Sequence, residues 1–407
     1  MIGLFLGKGL EGCGVTKYAI EMMTYLKQSN IDYKLFIADD KKHSRNKSHD
    51  LSEFNVGFYR AIPPKRKVVP TFDDMINEAK ECDTIVILSM PVKGYDEQIL
   101  SETKRFFDSI KDKNVVVTHH NHSSLYMKKE VLLDDVLEIT NTIFTHSAVN
   151  PVNKYIINKY PNAKIFNLNP SMFIDSFKKF WKPVSEIDTS VVNWIGRTTP
   201  WKGYDLAVNF HTDHLKGLGF STSMHGMDRG PAFIGFKALH AGKFILQDKE
   251  IQDNKDNLCE IFGPYVQDKM LDKMSKSGFV LQLTKIKPEE LQQSYSLEFT
   301  HIEALSIGSI PVFRTEHGNA VISRKDDRPI IEHDTGILWL NENNQAEVAA
   351  KMKEIANDPA LFEEHRTKAY NFAKEQCDSK VVFDEFFRVV KEENSNLNKA
   401  DTIGDEW

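Results

Sequence analysis

The sequence predicts an α/β protein in which two Rossmann-like domains face each other across a cleft. With 407 residues, the chain is longer than a single hydrophobic core usually serves. Short apolar segments rich in β-branched residues alternate with helical patterns, which indicates parallel sheets covered by helices on both faces. This alternation begins at Met1 and begins again near Val191. We therefore expect two domains with similar folds.

The composition is that of a globular protein. Apolar residues make up 41% of the chain and charged residues 27%, and no apolar run approaches the roughly 20 residues that a membrane-spanning helix needs. The first six residues read as a strand rather than a signal peptide, because a glycine-rich loop follows them at once. The four cysteines are too far apart for a zinc or disulfide framework. These features favour a cytoplasmic protein.

In the first domain, expected over residues 1–170, apolar segments predict strands at residues 1–6, 33–38, 84–90, 115–118 and 142–145. A helix follows the first strand, because apolar residues recur at i, i+3, i+4, i+7, i+8 and i+11 from Val15 to Leu26. Residues 171–185 contain Pro183 and show no periodicity. We interpret them as the hinge between the domains.

The second domain is expected over residues 186–378, with strands at 191–195, 279–283 and 310–313. Helical patterns follow at residues 346–356, 361–377 and 380–392. We expect the helix at 379–392 to return to the first domain. Residues 393–407 are polar and acidic, and their composition predicts disorder.

The charge is unevenly distributed along a chain whose net charge is −6. Residues 1–70 carry 12 Lys and Arg against 7 Asp and Glu, residues 71–170 carry 11 against 14, and residues 171–407 carry 29 against 37. A net negative charge does not attract nucleic acid by itself. Any polyanionic partner is therefore expected to bind the basic first part of the chain.

The first candidate site is the glycine-rich segment from Gly9 to Lys17, between the first strand and its helix. Its glycines and the free N–H groups of the following helix N-terminus are typical of a site for an anion such as phosphate. A P-loop requires Lys-Ser/Thr where Val15 and Thr16 stand, and the dinucleotide pattern GxGxxG is absent. An NTPase or a dehydrogenase is therefore not supported, and a tight turn without a ligand is the alternative.

The second candidate site is the segment from Trp194 to Gly203, where a predicted strand gives way to a helix. Arg197 can bridge a diphosphate with its planar guanidinium, and Lys202 can neutralise the same group as a point charge. Two cations five residues apart at the end of a strand fit a nucleotide-diphosphate leaving group. The alternative is a solvated turn with basic residues.

The third candidate site is the segment from Ser296 to Val312, a predicted helix followed by Gly-x-x-Pro and a strand. Glu303 can accept hydrogen bonds from the two hydroxyls of a ribose. Backbone amides near Phe299 and Thr300 can bind phosphate oxygens. The alternative is an amphipathic helix whose glutamates face water.

Together these segments resemble the nucleotide-sugar glycosyltransferases with two Rossmann-like domains, the GT-B fold. Retaining members carry Gly-Arg and Lys-Gly in the second domain, matched here by Gly196-Arg197 and Lys202-Gly203, and then a Glu-Ala, Gly and Pro-Val pattern that begins here at Glu303. Such families usually carry another glutamate eight residues before the ribose glutamate. This chain has Tyr295 there, and Glu298 is the nearest acid that could contact the sugar.

A closer resemblance, over most of the chain to about residue 390, is to the DNA α-glucosyltransferases of T-even-type phages. Its most specific parts are the segments 9–17, 194–199, 201–203, 231–234, 274–279 and 296–298, with Thr300, His301 and Glu303. The resemblance implies transfer of glucose from UDP-glucose to 5-hydroxymethylcytosine in duplex DNA with retention of configuration, in an infected bacterium, where the product protects phage DNA from host nucleases. The donor-binding residues that it implies are Gly12, Cys13, Gly14, Arg197, Lys202, Thr300, His301 and Glu303.

The family carries His-Asp-His after the fourth predicted strand, whereas this chain reads His119-His120-Asn121-His122. An amide cannot take a proton near neutral pH, but an imidazole can. Either His120 (or, less favourably, His122) acts on the acceptor hydroxyl, or the departing diphosphate oxygen accepts its proton. The catalytic candidates are therefore His120, Asn121 and Glu298. A core turn is the alternative, and a zinc site is not supported because no Cys, Asp or Glu has suitable spacing.

The candidate DNA-binding residues are basic side chains of the first domain on predicted loops or helix starts. They are Lys42, Arg45, Lys47, Arg60, Lys65, Arg66, Lys67, Lys128 and Lys129. Phosphate contacts need mobile cations rather than a fixed motif. Each cluster alone is more often a solvated surface, but their place on the domain that should hold the acceptor favours double-stranded DNA containing 5-hydroxymethylcytosine. The target base must leave the stack or be reached through the major groove.

We expect UDP-sugar as co-substrate, no tightly bound cofactor and no metal in the chemistry; a divalent ion could stimulate DNA binding or product release. Four alternatives stay open. The donor could be another sugar such as UDP-arabinose, or the acceptor an already glycosylated base. The enzyme could act on a saccharide or small molecule, or the chain could bind DNA without turnover. The last residues, Asp405-Glu406-Trp407, are a candidate docking peptide for a replication protein, with a tail of no function as the alternative.

Overall fold

The structure is a computed structural model, and it describes residues 1–7, 14–38, 51–61, 68–91, 95–120, 130–140, 142–146, 151–197, 202–227, 258–262, 267–284, 297–315 and 334–404. The chain forms two compact units. Unit 1 contains Met1–Met172 and Ser379–Trp407, and unit 2 contains Phe173–Leu291 and Tyr295–Asp378. The last helix therefore belongs to the same unit as the first strand.

Strands and helices alternate through both units. The strands are β1 (Ile2–Leu6), β2 (Tyr33–Ala38), β3 (Val56–Tyr59), β4 (Thr84–Ser89), β5 (Asn114–His119), β6 (Thr142–Thr145), β7 (Lys164–Asn167), β8 (Asp188–Arg197), β9 (Ser221–Met227), β10 (Leu258–Phe262), β11 (Ser277–Gln282), β12 (Ile310–Arg314) and β13 (Leu338–Leu340). The α-helices are α1 (Gly14–Gln28), α2 (Phe72–Ala79), α3 (Glu97–Ser109), α4 (Leu133–Leu137), α5 (Pro151–Lys159), α6 (Tyr204–Phe210), α7 (Gln267–Met274), α8 (Phe299–Ser306), α9 (Gln345–Asn357), α10 (Pro359–Gln376) and α11 (Ser379–Gly404).

Each unit is built on one parallel sheet. In the described residues the strand order is β3-β2-β1-β4-β5-β6-β7 in unit 1 and β10-β9-β8-β11-β12-β13 in unit 2. Both orders follow the doubly wound pattern, in which the first strand is central and the chain then builds outward on each side. The prediction of an α/β protein with two Rossmann-like domains is confirmed.

The burial of the central strands explains this architecture. All six residues of β4 and all six residues of β11 are buried, so helices cover both faces of each sheet. In unit 1 the rings of Phe5 and Phe106 stack at 4.9 Å between centroids. In unit 2 the core includes Trp194 and Phe279, both fully buried. The apolar segments read from the sequence are therefore core strands.

Residues 171–185, which we interpreted as a hinge, contain short 3₁₀ turns at Ile174–Phe180 and Val184–Glu186. Side chains tie the first of these turns to α10 in unit 2. Asp175 accepts a hydrogen bond from the hydroxyl of Tyr370 at 2.8 Å and pairs with Lys374 at 2.9 Å. Part of the segment is thus folded onto a neighbouring helix.

The prediction of disorder over residues 393–407 is wrong for residues 393–404, which continue α11 to Gly404; residues 405–407 lie outside the described part of the chain. The sequence from Ser379 to Ile403 has no proline or glycine, and an established helix extends by one hydrogen bond for each residue added. Arg388 also pairs with Glu385 and Glu392 one turn away on either side. The polar, acidic composition of residues 393–404 was therefore not sufficient to predict disorder.

Helix α11 packs on the first helix of the chain, α1. The hydroxyl of Tyr25 in α1 donates to Asp384 at 2.7 Å, and the ring of Phe383 lies 5.3 Å from that of Tyr18. Its Phe386 also contacts Phe144 of β6, with 4.2 Å between ring centroids. The C-terminal helix therefore completes the core of unit 1.

Candidate functional site

In each unit candidate residues lie at the carboxyl edge of the sheet, and the strand order reverses at one point along that edge. That point lies between β1 and β4 in unit 1 and between β8 and β11 in unit 2. Ligands of open α/β sheets bind at this position, because the loops on either side diverge there and leave a crevice.

The glycine-rich segment begins at this position in unit 1. Gly7, two residues before that segment, donates its N–H to the carbonyl of Ser89, the last residue of β4, at 3.0 Å, and a Cβ at residue 7 would lie 2.8 Å from the same oxygen. Residues 8–13, which include the predicted donor residues Gly12 and Cys13, lie outside the described part of the chain. Gly14 begins α1 and is exposed.

The Lys-Gly pair of the second motif is fixed by a close backbone approach. Gly203 has a left-handed conformation with φ of 74°, and a Cβ there would lie 1.8 Å from the carbonyl oxygen of Leu283. Its own carbonyl accepts from Ala207 at 3.0 Å and so begins α6. The glycine thus brings the residue before it, Lys202, against the end of β11.

Lys202 is held between a core tryptophan and an acidic residue. Its carbonyl accepts from the indole N–H of Trp194 at 3.3 Å, and its ammonium pairs with the carboxylate of Glu298. The Lys202 side chain is only 10% exposed, whereas that of Glu298 is 30% exposed. A nearly buried ammonium needs an anionic partner, so this lysine is suited to hold an anion.

Glu298 stands directly before α8, and His301 fixes the backbone there. The N–H of Glu298 donates to Nδ1 of His301 at 3.0 Å, so the proton of that fully buried imidazole lies on Nε2. The other Glu298 carboxylate oxygen lies 3.5 Å from the hydroxyl of Thr284. One carboxylate thus joins α8 to the turns after β8 and β11.

Two further predicted donor residues lie on α8, and a third ends β8. Thr300 donates to the amide oxygen of Gln282 at 3.3 Å, and Glu303 is buried with 6% of its surface exposed. Arg197 is the last residue of β8, and its side chain lies outside what the structure describes. The structure therefore brings Lys202, Glu298 and His301 into one hydrogen-bonded group, with Thr300 and Glu303 on the same helix.

A second group of side chains lies at the carboxyl edge of unit 1. His120 follows β5 and His146 follows β6, and these strands are neighbours, with His119 paired to Thr145 in register. Nδ1 of His120 lies 2.8 Å from Nε2 of His146, and Nδ1 of His146 lies 2.9 Å from the carbonyl of Leu168. The Tyr18 ring makes T-shaped contacts with both imidazoles, at 4.7 and 5.2 Å between centroids.

These contacts assign the protons of the pair. A carbonyl oxygen only accepts, so Nδ1 of His146 carries a proton. Burial lowers the pKa of His146 to about 4, so this imidazole is neutral near pH 7 and its Nε2 is an acceptor. Nδ1 of His120 is therefore the donor, and Nε2 is the nitrogen of His120 that gains or loses a proton.

The third imidazole of the group, His119, belongs to a different contact. Its Nε2 lies 2.8 Å from the carboxylate of Glu130, and both side chains are buried. Asn121 lies outside the described residues. Of the predicted catalytic residues, the structure therefore describes His120 in unit 1 and Glu298 in unit 2.

Sequence reasoning did not single out His146, Glu130 or Tyr18. A signal for His146 was present, because a Thr-His pair occurs where β6 ends, at Thr145-His146, as one occurs at the end of β5, at Thr118-His119. That signal becomes informative only with the strand order, which places β5 beside β6. Glu130 lies eleven residues after its partner and follows no familiar spacing.

Most of the predicted DNA-binding residues lie outside the described part of the chain. These are Lys42, Arg45, Lys47, Lys65, Arg66, Lys67, Lys128 and Lys129. Arg60 is described: it follows β3, and its N–H donates to the carbonyl of Pro70 at 3.0 Å. The DNA-binding assignment therefore stays a prediction.

The described residues contain no group of three or more His, Cys, Asp or Glu side chains that could hold a metal ion. Within the same residues, no helix has both the length and the apolar surface to cross a membrane.

Comparison with known proteins adds an independent finding. Residues 13–360 match the family model of the DNA α-glucosyltransferases. The DNA α-glucosyltransferase of Enterobacteria phage T4 is 34% identical over 408 residues, covering 96% of this chain and 99% of that protein.

Solved structures agree. A structure of an α-glucosyltransferase with UDP and a 13-mer DNA containing an HMU base has a TM-score of 0.80 at 33% identity, and covers 96% of this chain and 99% of that one. Another, with UDP-glucose and DNA containing an abasic site, has a TM-score of 0.79 at 32% identity over the same shares. Anabaena Alr3699/HepE with UDP and glucose is 12% identical, with a TM-score of 0.65 over 96% of this chain and 100% of that one, and supports the fold alone. The chain belongs to the DNA α-glucosyltransferase family.

Proposed function

We propose that this protein transfers glucose from UDP-glucose to the hydroxymethyl group of 5-hydroxymethylcytosine in double-stranded DNA, with retention at the anomeric carbon. In this proposal unit 2 binds the donor and unit 1 binds the acceptor. The glucosylated DNA resists host nucleases, and the reaction takes place in the cytoplasm of an infected bacterium.

The observation that carries the proposal is the nearly buried Lys202 at the carboxyl edge of unit 2. The Gly203 turn places it against β11, and Glu298 pairs with it. A diphosphate that develops negative charge as the sugar departs is stabilised by such a preorganised cation. Family relatives have been solved with UDP and with UDP-glucose, which supports this donor.

The remaining residues of the donor site take complementary roles. Arg197, at the end of β8, binds the diphosphate with two hydrogen bonds, and the buried carboxylate of Glu303 accepts from the ribose hydroxyls. Glu298 orients Lys202 and accepts from a sugar hydroxyl, with Thr300 and His301 fixing the first turn of α8. Gly12, Cys13 and Gly14 bind the phosphates with backbone N–H groups.

In the reaction, the bond between C1 of glucose and the β-phosphate oxygen breaks, and its electron pair stays on UDP. A new bond forms between C1 and the hydroxymethyl oxygen of the base. The proton of that hydroxyl passes to Nε2 of His120 and then to water or to UDP, so that glucosylated DNA, UDP and one proton are released. Direct transfer of this proton to the departing phosphate oxygen is the competing route.

Recognition of DNA rests on the basic residues of unit 1, from Lys42 to Lys129, which bind phosphates. One relative has been solved with DNA that contains an HMU base, which supports a hydroxymethylated pyrimidine as the acceptor. Neutral imidazoles suit a polar, uncharged base and its hydroxyl better than charged groups would.

The decisive experiment incubates the protein with hydroxymethylated, methylated and unmodified DNA and a panel of UDP-sugars that includes UDP-glucose and UDP-arabinose. The nucleosides are then weighed by mass spectrometry, and the anomer is read by NMR. We expect an α-hexosyl adduct from UDP-glucose on hydroxymethylated DNA only. Digestion of the product with restriction enzymes measures protection.

Other results would replace the proposal. A pentosyl adduct would assign a different donor, and a second hexose on glucosylated DNA would assign a different acceptor. Binding of DNA without consumption of any donor would indicate a protein without turnover. Transfer to a free saccharide but not to DNA would show that the acceptor is a saccharide instead of DNA.

A further inference from the structure

The imidazole pair of unit 1 contains a residue, His146, to which the proposed function assigns no role. It lies after β6, it is 7% exposed, and its two nitrogens contact the carbonyl of Leu168 and the ring of His120. A buried imidazole with both nitrogens in such contacts has a fixed orientation.

We infer that His146 is a positioning residue, which holds His120 in the tautomer with the proton on Nδ1 and so makes Nε2 the nitrogen that receives the acceptor's hydroxyl proton. This inference rests on the proposed function, because it acts through His120. It depends on two contacts within unit 1, at 2.9 and 2.8 Å.

The direction of the hydrogen bonds follows from the chain of contacts. The Leu168 carbonyl can only accept, so it orients the N–H of His146 toward itself and leaves Nε2 of His146 as an acceptor. A histidine alone in water favours the opposite tautomer only weakly, so one hydrogen bond is enough to select the form of His120. A backbone carbonyl thus sets the protonation of a side chain two contacts away.

Neighbouring groups from each element packed on the pair are consistent with a neutral His146. Tyr18 of α1 contacts both rings, and burial raises the pKa of its phenol, so it stays uncharged. The carboxylate of Glu130 lies against His119, the imidazole next in sequence to His120. His119 lowers the pKa of His146 further when it is protonated.

The test compares His146→Leu, which removes the acceptor, with His146→Gln, whose amide oxygen can take the place of Nε2. We expect His146→Leu to lower kcat by on the order of 10²-fold, with unchanged KM for UDP-glucose and unchanged Kd for DNA. His146→Gln should recover most of this loss. Equal losses in both variants, or a loss confined to DNA affinity, would show a structural role instead.

A double-mutant comparison tests the route through His120. The single variant His120→Gln is expected to lose at least as much kcat as His146→Leu, and the double variant should lose no more than His120→Gln alone. If the kcat loss of the double variant equals the product of the losses of the two single variants, the inference is overturned. An unchanged kcat in His120→Gln would overturn both the inference and the proposed role of His120.

A spectroscopic measurement on the free protein separates the inference from the proposed function. Long-range ¹H–¹⁵N spectra of the imidazoles should show Nδ1 of His120 protonated in the wild type and a shifted tautomer population in His146→Leu. Signals of His211, a buried histidine of unit 2 bonded to Thr222, serve as the reference that should not change. Wild-type His120 protonated on Nε2 would refute the inference even if glucose transfer to DNA is confirmed.

Discussion

The carboxyl edge of unit 2 holds a charged pair, Lys202 and Glu298, whereas the carboxyl edge of unit 1 holds two imidazoles, His120 and His146, one of which burial keeps neutral. Both groups occupy the same end of similarly ordered parallel sheets. The fold therefore places both groups at the same edge of a sheet. The side chains make the group in unit 2 charged and give the group in unit 1 a neutral imidazole. A permanent cation suits a diphosphate, and a neutral imidazole suits transfer of a proton.

The largest expected effect tests the charged site. Lys202→Met should lower kcat/KM for UDP-glucose by an amount equivalent to about 2–4 kcal/mol of transition-state stabilisation, because the departing diphosphate loses its cation. Steady-state kinetics measure it. The control is Lys276→Met, which removes an exposed lysine of unit 2 paired with Asp272 at 2.6 Å and should leave kcat/KM unchanged. Equal kinetics for both variants would refute the role of Lys202.

The neutral site predicts a pH dependence of stability. His146 takes up a proton near pH 6.5 in the unfolded chain but only near pH 4 in the folded one, so the free energy of unfolding should fall as the pH decreases between these values. The total is about 3 kcal/mol for this group. Urea unfolding of the wild type and of His146→Gln from pH 7 to 4.5 measures the difference. If the free energy of unfolding changes with pH by the same amount in both proteins, the claim that the buried His146 is neutral is wrong.

The position of Lys202 also depends on the close approach of the Gly203 backbone to Leu283. A comparison of Gly203 with Gly219 isolates the contribution of that approach to stability. Gly203 and Gly219 both have positive φ, of 74° and 83°, but a Cβ meets the Leu283 carbonyl at residue 203 and nothing within 4 Å at residue 219. Gly203→Ala should therefore destabilise the protein by about 2 kcal/mol more than Gly219→Ala. Denaturant unfolding measures both. Equal losses would mean that the backbone at Lys202 tolerates displacement.

The smallest effect concerns the helix that packs beside the neutral site. Tyr25→Phe removes the 2.7 Å hydrogen bond from α1 to Asp384 of α11 and should cost about 1 kcal/mol, because the exposed carboxylate can bind water instead. Unfolding measures the cost, and kcat should not change. A lower kcat in Tyr25→Phe would indicate that α11 acts directly on the imidazole pair.

The fold class could be predicted from sequence because central strands such as β4 are continuous apolar runs and helices such as α1 repeat their apolar residues over several turns. Lys202 and Glu298 could be identified because each lies in a short motif at a strand or helix end. The contact of His146 with His120 could not, since it depends on which strands are neighbours and not on spacing. The helical tail was mispredicted because composition ignores the continuation of a helix that packing has already established.

The order of synthesis gives α11 a further consequence. In unit 1, Tyr18, Tyr25 and Phe144 are synthesised long before α11, so they can reach their aromatic partners on that helix only after the residues of unit 2 have been made. A nascent chain that stops before residue 379 lacks the α11 contacts of unit 1, although it already holds all the residues of unit 2. A truncation that removes α11, or a fusion that displaces it, is therefore expected to disturb the packing of α1 and β6.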